Sequence, residues 1–386
     1  MLYYNEANTA YFDGLQLYKE EFGQSYTYDS NGNVISSVDL AKQQSSFEYT
    51  SNDLTKAIDP KGNQFKYTYD SKHNITNATS AENTVYSFTY DNSGNPLTSK
   101  VGDSTLFIQS SANYTPSGNY LSSLTDPSGK TVTNNWDETK GLLNSVTDAK
   151  NTTTNYSYEA NTDRLSSVSK TVSGQPVTNS YTYENDRIKS ITQNGFNYNF
   201  GYDSLGNNTT VAVGNQNLIT NSFENRTGKL LQSTYGNGQQ ISQDYDNLDR
   251  VTASKYNGVT RDTYAYDNNG NLGYQQDLVN SDSYRYLYDF ANRMTKVTNS
   301  TGNSQSYGYD LNNNLSSMTE KIGSSTYTTS YAYDKDNRPT TTTYDRGTPS
   351  TTNTITQSYD TLGRTTSKAL NTGASIYNTT YAYLQE

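Results

Sequence analysis

Residues 26–34 read YTYDSNGNV, in which a Tyr-x-Tyr-Asp motif is followed by turn-forming residues and then by an aliphatic side chain. The pattern returns as YAYDNNGNL at residues 264–272 and as YGYDLNNNL at residues 307–315. In these copies and in the degenerate ones between them, an anchor aromatic recurs with a mean spacing of about 22 residues, (383 − 28)/16. Such a period is typical of proteins built from stacked repeats. We place the 17 anchors at positions 28, 49, 69, 90, 114, 136, 158, 183, 202, 223, 245, 266, 288, 309, 333, 359 and 383.

Each part of the repeat has a physical role. Tyr-x-Tyr places two aromatic rings on one face of a strand, because strand side chains alternate. The aspartate that follows bonds its own backbone two residues on and starts a turn, and Asn-Gly or Gly-Asn supplies the positive φ angles of a tight hairpin. We assign a structural role to Tyr28, Asp29, Gly32, Tyr69, Asp70, Tyr90, Asp91, Tyr202, Asp203, Tyr245, Asp246, Tyr266, Asp267, Gly270, Tyr288, Asp289, Tyr309, Asp310, Tyr333, Asp334, Tyr359 and Asp360.

A return strand and a second turn complete the unit. The return strand often carries aliphatic residues three apart, as at Met294 and Val297. This spacing is also compatible with a helix, but a helix of four or five residues is too short to hold, so a bulged strand is preferred. A second turn follows, clearest at residues 59–62, DPKG. The sequence therefore predicts an all-β fold, a continuous antiparallel strip of hairpins, over residues 24–386, truncated within its last repeat. Residues 1–23 are predicted to be a partial or irregular repeat.

Composition narrows the class of protein. Of the 386 residues 31% are hydrophobic, but the 38 tyrosines bury large rings while keeping a polar tip, so the chain can pack and still be polar. The chain has no cysteine and therefore forms no disulfide. Its net charge of -10 argues against nucleic acid as a partner. We find no apolar run of the ~20 residues that a membrane helix needs, and no signal peptide. The sequence is expected to be part of a longer protein.

The candidate catalytic and metal sites all have simpler explanations. His73 is the one histidine and lies in a turn slot that holds glycine in sister repeats, so it is predicted to be a turn residue. The DSNGN and DNNGN segments at residues 29–33 and 267–271 superficially resemble calcium loops, but their glycine is misplaced and the distant Glu is missing. The carboxylates recur once per repeat, as structural residues do. We therefore expect no catalytic, cofactor or metal site, no cofactor, and no enzymatic activity.

The repeat resembles the YD repeat of the Rhs family, and in composition the wall-associated Rhs-type toxin-delivery proteins of Gram-positive bacteria. The resemblance implies a strip that spirals into part of a hollow shell, the shell of a secreted polymorphic toxin used in contact-dependent inhibition. It also implies an enclosed C-terminal toxin domain as partner, and a secreted, cell-wall associated or extracellular location. An adhesion or cell-wall carbohydrate-binding module remains the alternative, with sugar rings stacked on exposed tyrosines; ladders of aromatic pairs between strands are the simpler explanation of those rings.

Two geometric expectations follow. If every repeat adds two strands to one ring, the strip is about 160 Å long and the ring about 50 Å across. The last repeat stops near Tyr383, so its strand is expected to be frayed or to associate edge to edge with another molecule.

Overall fold

The computed structural model describes residues 23–345 and 352–383. These residues form short strands separated by tight turns. The strands are β1 Ser25–Tyr28, β2 Val34–Val38, β3 Gln44–Thr50, β4 Asp53–Ile58, β5 Gln64–Tyr69, β6 Ile75–Thr79, β7 Val85–Tyr90, β8 Pro96–Gly102, β9 Phe107–Tyr114, β10 Leu121–Thr125, β11 Thr131–Asp137, β12 Leu142–Thr147, β13 Thr153–Tyr158, β14 Leu165–Val172, β15 Gln175–Glu184, β16 Arg187–Gln193, β17 Phe196–Tyr202, β18 Asn208–Val213, β19 Gln216–Phe223, β20 Leu230–Tyr235, β21 Gln240–Tyr245, β22 Val251–Tyr256, β23 Val259–Tyr266, β24 Leu272–Asp277, β25 Asp282–Tyr288, β26 Met294–Asn299, β27 Ser304–Tyr309, β28 Leu315–Ile322, β29 Ser325–Tyr333, β30 Pro339–Asp345, β31 Asn353–Tyr359, β32 Thr365–Asn371 and β33 Ile376–Thr380.

Every strand pairs antiparallel with the next strand along the chain, from β1 with β2 to β32 with β33, so the strands form one meandering sheet. The predicted all-β strip is confirmed. None of the residues in the two described ranges forms a helix with the length and apolar character needed to cross a bilayer.

The turn after each anchor, which we call the YD turn, is organised by its aspartate. At Asp267 the carboxylate oxygen Oδ1 accepts the backbone N–H groups of Asn269 and Asn271, at 2.9 and 2.8 Å. The backbone N–H of Gly270 donates to the carbonyl of Asp267, and Gly270 has a φ of 86°. The predicted bond two residues on is therefore present, together with a second one four residues on. This is a three-residue hairpin loop whose last residue needs the left-handed conformation.

The aliphatic spacing of the return strand comes from a β-bulge. Tyr286 pairs with Val297 and Tyr288 pairs with Met294, with a register shift between these pairs. The bulge takes up one residue of the return strand, so aliphatic residues three apart both lie on the face of the Tyr-x-Tyr rings. The preference for a bulged strand over a helix is confirmed.

The second turn of each repeat, which we call the return turn, takes several forms, of which two recur. Asp59 holds its turn as the YD aspartates do, with Oδ1 accepting the N–H groups of Lys61 and Asn63. Other return turns have two residues that both have positive φ, as at Asn194 and Gly195, with φ of 49° and 82°. YD turns line one edge of the strip and return turns line the other.

The strip coils and passes over its own beginning. The return turn between β4 and β5 contacts the YD turn between β27 and β28, 23 strands later (27 − 4). At about 4.8 Å per strand, one coil is about 110 Å around and about 35 Å across. The single ring of about 50 Å expected from the sequence is therefore wrong. The strip rises along the coil axis as it turns, so its later repeats pass beside the first ones instead of closing a ring.

The sheet is one layer thick, and its side chains are mostly half-buried. Among the described residues, the most buried ones are either small, as Ala253 is, or lie where the strip overlaps itself, as Leu362 does. β33 ends at Thr380 and residues 381–383 form no strand, although the N–H of Tyr381 still donates to the carbonyl of Thr366. Residues 1–22 lie outside the described residues, and the boundary at residues 23 and 24 stays a prediction.

Replacing Gly270 with valine should destabilise the protein, because a β-branched residue at a φ of 86° is strained by about 1–3 kcal/mol. A Cβ at Gly270 would meet only Nη1 of Arg250, at 4.0 Å, so the effect is conformational and not a clash. Gly270→Asn is the control, since Asn292 and Asn313 hold the same slot with φ of 60° and 66°. Urea unfolding followed by circular dichroism measures both. Equal stabilities of the two variants would contradict this account.

Candidate functional site: the anchor belt and the coil seam

The anchor rings link consecutive repeats. The hydroxyl of Tyr266 donates to the backbone carbonyl of Val251, at 2.8 Å, where the return strand of the preceding repeat begins. The same bond recurs along the strip, and at Trp136 the indole N–H replaces the hydroxyl. The other donor and acceptor pairs are Tyr69–Leu54, Tyr90–Ile75, Tyr114–Pro96, Tyr158–Leu143, Tyr183–Leu165, Tyr202–Ile188, Tyr245–Leu230, Tyr288–Leu272, Tyr309–Met294, Tyr333–Leu315, Tyr359–Pro339 and Tyr383–Thr365. We call this row of rings and the YD turns they contact the anchor belt.

Burial accompanies these bonds. The partial burial of Tyr309 and Tyr333 raises the pKa of both hydroxyl groups, so they stay protonated and keep donating at neutral pH. The ladders of aromatic pairs expected from the sequence are not the rule: in the described part of the chain, the stacked ring pair is Tyr120 with Trp136, whose centroids are 4.8 Å apart. The anchor side chains instead donate hydrogen bonds to backbone carbonyl groups of the preceding repeat, because the bulge places each anchor beside an accessible carbonyl.

A cation extends the belt in the repeats that carry arginine four residues after the aspartate. Arg250 donates from Nε to Oδ2 of Asp246, at 2.8 Å, and its guanidinium lies over the ring of Tyr266, 4.6 Å from the centroid. Each such arginine therefore joins its own turn to the next anchor, with a cation–π contact of about 0.5–1 kcal/mol. The same contact joins Arg293 to Tyr309, Arg338 to Tyr359 and Arg364 to Tyr383. Arg164, which lies five residues after Glu159, makes it to Tyr183.

Asparagine at the same position joins turn to turn. Asn271 donates from Nδ2 to Oδ2 of Asp267, at 3.1 Å, and to Oδ1 of Asn292 in the next YD turn, at 2.9 Å. Asn314 makes the same bridge to Asn337, at 2.7 Å. This role was not predicted from the sequence, which indicated roles for the tyrosine, aspartate and glycine only. The recurrence of Asn or Arg four places after the aspartate is the signal that could have indicated it.

The coil seam is the contact between the return edge of the first repeats and the YD edge of the last ones. Lys61 Nζ lies 2.6 Å from Oδ2 of Asp310, and both side chains are mostly buried. The hydroxyl of Ser80 donates to Oδ2 of Asp336, at 2.7 Å, and the N–H of Lys335 donates to Oε1 of Glu82, at 2.9 Å. These partners lie about 250 residues apart in sequence, as their separations of 249, 256 and 253 positions show.

An apolar contact completes the seam. Leu362 of the YD turn between β31 and β32 is 6% exposed and packs where Gly102 ends β8. A Cβ on Gly102 would lie 2.5 Å from Cδ2 of Leu362, so a side chain there would exclude the leucine. A cavity of 450 Å³ lies beside this contact. Its lining residues come from the first repeats, among them Tyr67 and Tyr86, and from the last repeats, among them Arg338. The seam therefore consists of polar contacts and one buried leucine.

The residues that are candidates for catalysis or metal binding lie in turns. His73 has a φ of 65° and lies in the glycine slot of its YD turn, with Nδ1 2.9 Å from the Asp53 carboxylate. The carboxylate of Asp29 is engaged by the backbone of Asn31 and by the backbone and amide of Asn33. In the two described ranges, no group of three or more histidine or acidic residues is placed to hold a metal ion.

The comparisons with known proteins agree with this geometry. The teneurin YD-shell family model matches residues 15–233. The chain belongs to the teneurin YD-shell family. The resemblance to YD repeats that the sequence suggested is confirmed, while the Gram-positive, wall-associated branch is not addressed by this match. Among curated proteins, no relative matches the chain.

Solved toxin-complex structures share the fold. TcdB2-TccC3 without its hypervariable C-terminal region superposes with a TM-score of 0.74 at 15% identity, and the Photorhabdus luminescens Tc holotoxin pore, carrying a TccC3 mutation, with 0.68 at 14%. TcdB2-TccC3 itself superposes with 0.66 at 14% identity. Each match covers 92% of this chain but 22% of the solved one, so the chain spans about a fifth of those proteins. At such identities the likeness shows the fold alone.

Tyr266→Phe should lower the free energy of unfolding by about 1 kcal/mol, because it removes one hydrogen bond and leaves the carbonyl of Val251 without its donor. Tyr235→Phe is the matched control, since Tyr235 is 41% exposed and lies at the end of β20, outside the anchor belt. Urea titrations of both variants measure the difference. An equal loss in both would show that the anchor bond carries no stability.

Acid should weaken the turns. Backbone N–H groups of Leu106 and Thr105 lower the pKa of Asp103 to about 2, and the Asn74 amide lowers that of Asp70. Folded pKa values below the ~3.9 of an unfolded aspartate mean that the stabilisation is present above pH 4 and is lost as pH falls through the folded values. We expect the urea midpoint to fall between pH about 4 and about 2, and added salt at pH 7 not to mimic this, since the donors are uncharged.

A single asparagine tests the cause of that pH dependence. Asn299 holds a return turn of the same form as that of Asp126, since Oδ1 of each side chain accepts the N–H of the residue four places on. The backbone N–H of Lys130 lowers the pKa of Asp126, so Asp126→Asn should keep the turn while removing one titrating group, and the pH slope should become shallower. A urea midpoint that stays constant down to pH 2 in the unmodified protein would contradict the role of the aspartates.

Leu362→Ala should lower the free energy of unfolding by about 2 kcal/mol, because it empties a buried seam position. Leu248→Ala is an internal control, since Leu248 holds the same turn position with 72% of its surface exposed and should change stability by less than about 0.5 kcal/mol. Both are measured by urea unfolding. Equal effects would mean that the seam does not form in solution.

Proposed function

We propose that this chain is a wall segment of a hollow shell, and that the shell encloses a toxin segment of the same polypeptide. The observation that carries the proposal is the coil seam: a strip that packs against its own earlier turn forms a wall around an interior. A flat or open sheet of the same repeats would enclose nothing. The likeness to toxin-complex proteins supports the toxin as the enclosed part.

The width of the coil constrains the enclosed segment. A folded domain of ~100 residues is about 35 Å across, which equals the backbone-to-backbone width estimated for this coil. Side chains on the inner face narrow the space further. The enclosed segment is therefore extended or only partly folded within this part of the shell, and not a compact domain as the wider ring expected from the sequence allowed.

The finer assignment rests on the repeat resemblance and on composition. It is a secreted protein of the polymorphic, contact-dependent toxin class, located at the cell wall or outside the cell. In this assignment the chain has no enzymatic activity of its own and its motif residues are structural. Stacking of cell-wall glycan gains no support from the anchor tyrosines, because their rings are half-buried and several have a guanidinium group over one face, as Tyr266 has Arg250 and Tyr309 has Arg293.

Proteolysis of the complete natural polypeptide tests enclosure. With the shell intact at neutral pH, we expect a segment outside the repeats to resist a broad-specificity protease, and to be digested once acid or urea opens the coil. Mass spectrometry identifies the protected segment. Digestion of every non-repeat segment at the rate of a free peptide, with the repeats still intact, would contradict the proposal.

A further inference from the structure

The return turn between β20 and β21 begins with a residue that the turn itself does not need. In the other described return turns of this form, the side chain of the first residue accepts the backbone N–H of the residue four places on, and that first residue is Asp39, Asp59, Ser80, Asp126, Asp148 or Asn299. Tyr235 holds this position after β20, since its backbone N–H donates to the carbonyl of Gln239 and its carbonyl accepts the N–H of Gly238. Oδ1 of Asn237 accepts the N–H of Gln239 in place of the missing side chain. A tyrosine at this position therefore requires another explanation.

Tyr235 lines an open cleft between this return turn and the one between β18 and β19. The cleft has a volume of 760 Å³, within the ~300–1,000 Å³ of small-molecule sites. Asn215 and Gln216 line it from the turn after β18, and Thr220 and Thr234, which are partners in the β19–β20 pair, line it from the strands. Tyr235, Asn215 and Gln216 are exposed, so a ligand can reach the cleft from solvent.

Backbone contacts fix the shape of the cleft. The N–H of Gly236 donates to the carbonyl of Leu218 at 2.8 Å, which joins the turn after β20 to the start of β19. A Cβ on Gly236 would lie 2.6 Å from the carbonyl oxygen of Asn217, so glycine is what allows this approach. A register shift in the β18–β19 pair passes over Leu218, which lines the cleft and is 46% exposed. The cleft is therefore formed before a ligand binds, which lowers the cost of binding.

The lining of the cleft defines the chemistry of its ligand. Among the described residues that line it, none is charged, so a phosphate, carboxylate or cationic ligand would lose hydration without meeting an opposite charge. Four amide side chains line it instead, those of Asn215, Gln216, Asn217 and Asn237. An amide group both donates and accepts hydrogen bonds, as a sugar hydroxyl group does, and a tyrosine ring offers an apolar face with a polar tip. Neutral carbohydrate matches this combination.

We propose that this cleft binds a neutral oligosaccharide. One sugar ring lies against the ring of Tyr235, and its hydroxyl groups exchange hydrogen bonds with the amides of Asn215 and Gln216. Tyr235 is 41% exposed, and in the described part of the chain no cation lies over its ring, whereas the anchor rings of Tyr266 and Tyr309 each have an arginine over one face. The return edge thereby gains a glycan contact that does not depend on what the shell encloses.

Calorimetric titration of the chain with cellotetraose, maltotetraose and N-acetylated chitotetraose tests the proposal, with tetragalacturonate as the charged comparison. We expect at least one of the neutral sugars to bind at one site per chain, and tetragalacturonate to bind more weakly than that sugar. The double substitution Asn215→Ala and Gln216→Ala should weaken binding about tenfold, because it removes two hydrogen-bonding amides. Tyr377→Ala is the control and should leave binding unchanged, since Tyr377 is 62% exposed but lies in β33, away from the cleft.

Tyr235→Asp separates a ligand-binding role from a structural one. Aspartate at this position can accept the N–H groups of its own turn, as Asp59 does from Lys61 and Asn63, so the urea midpoint should stay at or above that of the parent chain. Sugar binding should fall at least tenfold, because the stacking ring is lost. No binding of any of the three neutral sugars at millimolar concentration, or binding that Tyr235→Asp and the double substitution leave unchanged, would overturn the proposal. A urea midpoint lowered by Tyr235→Asp would also overturn it, because the tyrosine would then stabilise the turn.

Discussion

The bond from an anchor hydroxyl to a carbonyl of the preceding repeat is the interaction on which the rest of the structure depends. A single hairpin is marginal in water, and this sheet is one layer thick with few fully buried side chains among its described residues. Backbone pairing alone fixes neighbouring strands but not the angle between successive hairpins. The ring of Tyr266, held between the carbonyl of Val251 and the guanidinium of Arg250, fixes that angle. Because the contact recurs in nearly every repeat, the small angle between successive hairpins accumulates along the strip and produces a coil.

The coil in turn supplies the long-range contacts that the single layer lacks. Repeat proteins are usually stabilised by nearest-neighbour interfaces only. Here the seam adds contacts between residues about 250 positions apart, such as Ser80 with Asp336, 256 positions apart. These contacts require a constant curvature in the repeats between them. The aspartate-held turns and the bulges therefore stabilise their own hairpins and also set the curvature that the seam requires. As a result, a wall can form without a conventional hydrophobic core.

The sequence predicted the local structure well because its signals are local. The aspartate turns, the positive φ at Gly270 and the bulge behind Met294 and Val297 follow from residue type and spacing, and the structure confirms them. The partner of the anchor hydroxyl was not predictable, because it is a backbone carbonyl, which has no residue signature. The width of the coil was missed for a different reason: curvature accumulates over 23 strands, and a small angle per hairpin is not encoded in any single motif. The seam residues Lys61 and Leu362 resemble ordinary turn residues until the coil brings them to their partners.

A distance between two spin labels shows whether the strip coils and packs against its own first repeats through the seam. The chain has no cysteine, so Ala81→Cys and Lys335→Cys give two unique labelling positions, on the return edge and on the YD edge of the seam. We expect one narrow distance between the labels, less than a quarter of the ~110 Å that 23 strand spacings span in an uncoiled strip. A broad distribution, or labels too far apart to interact in a protein whose strand content is intact, would contradict it.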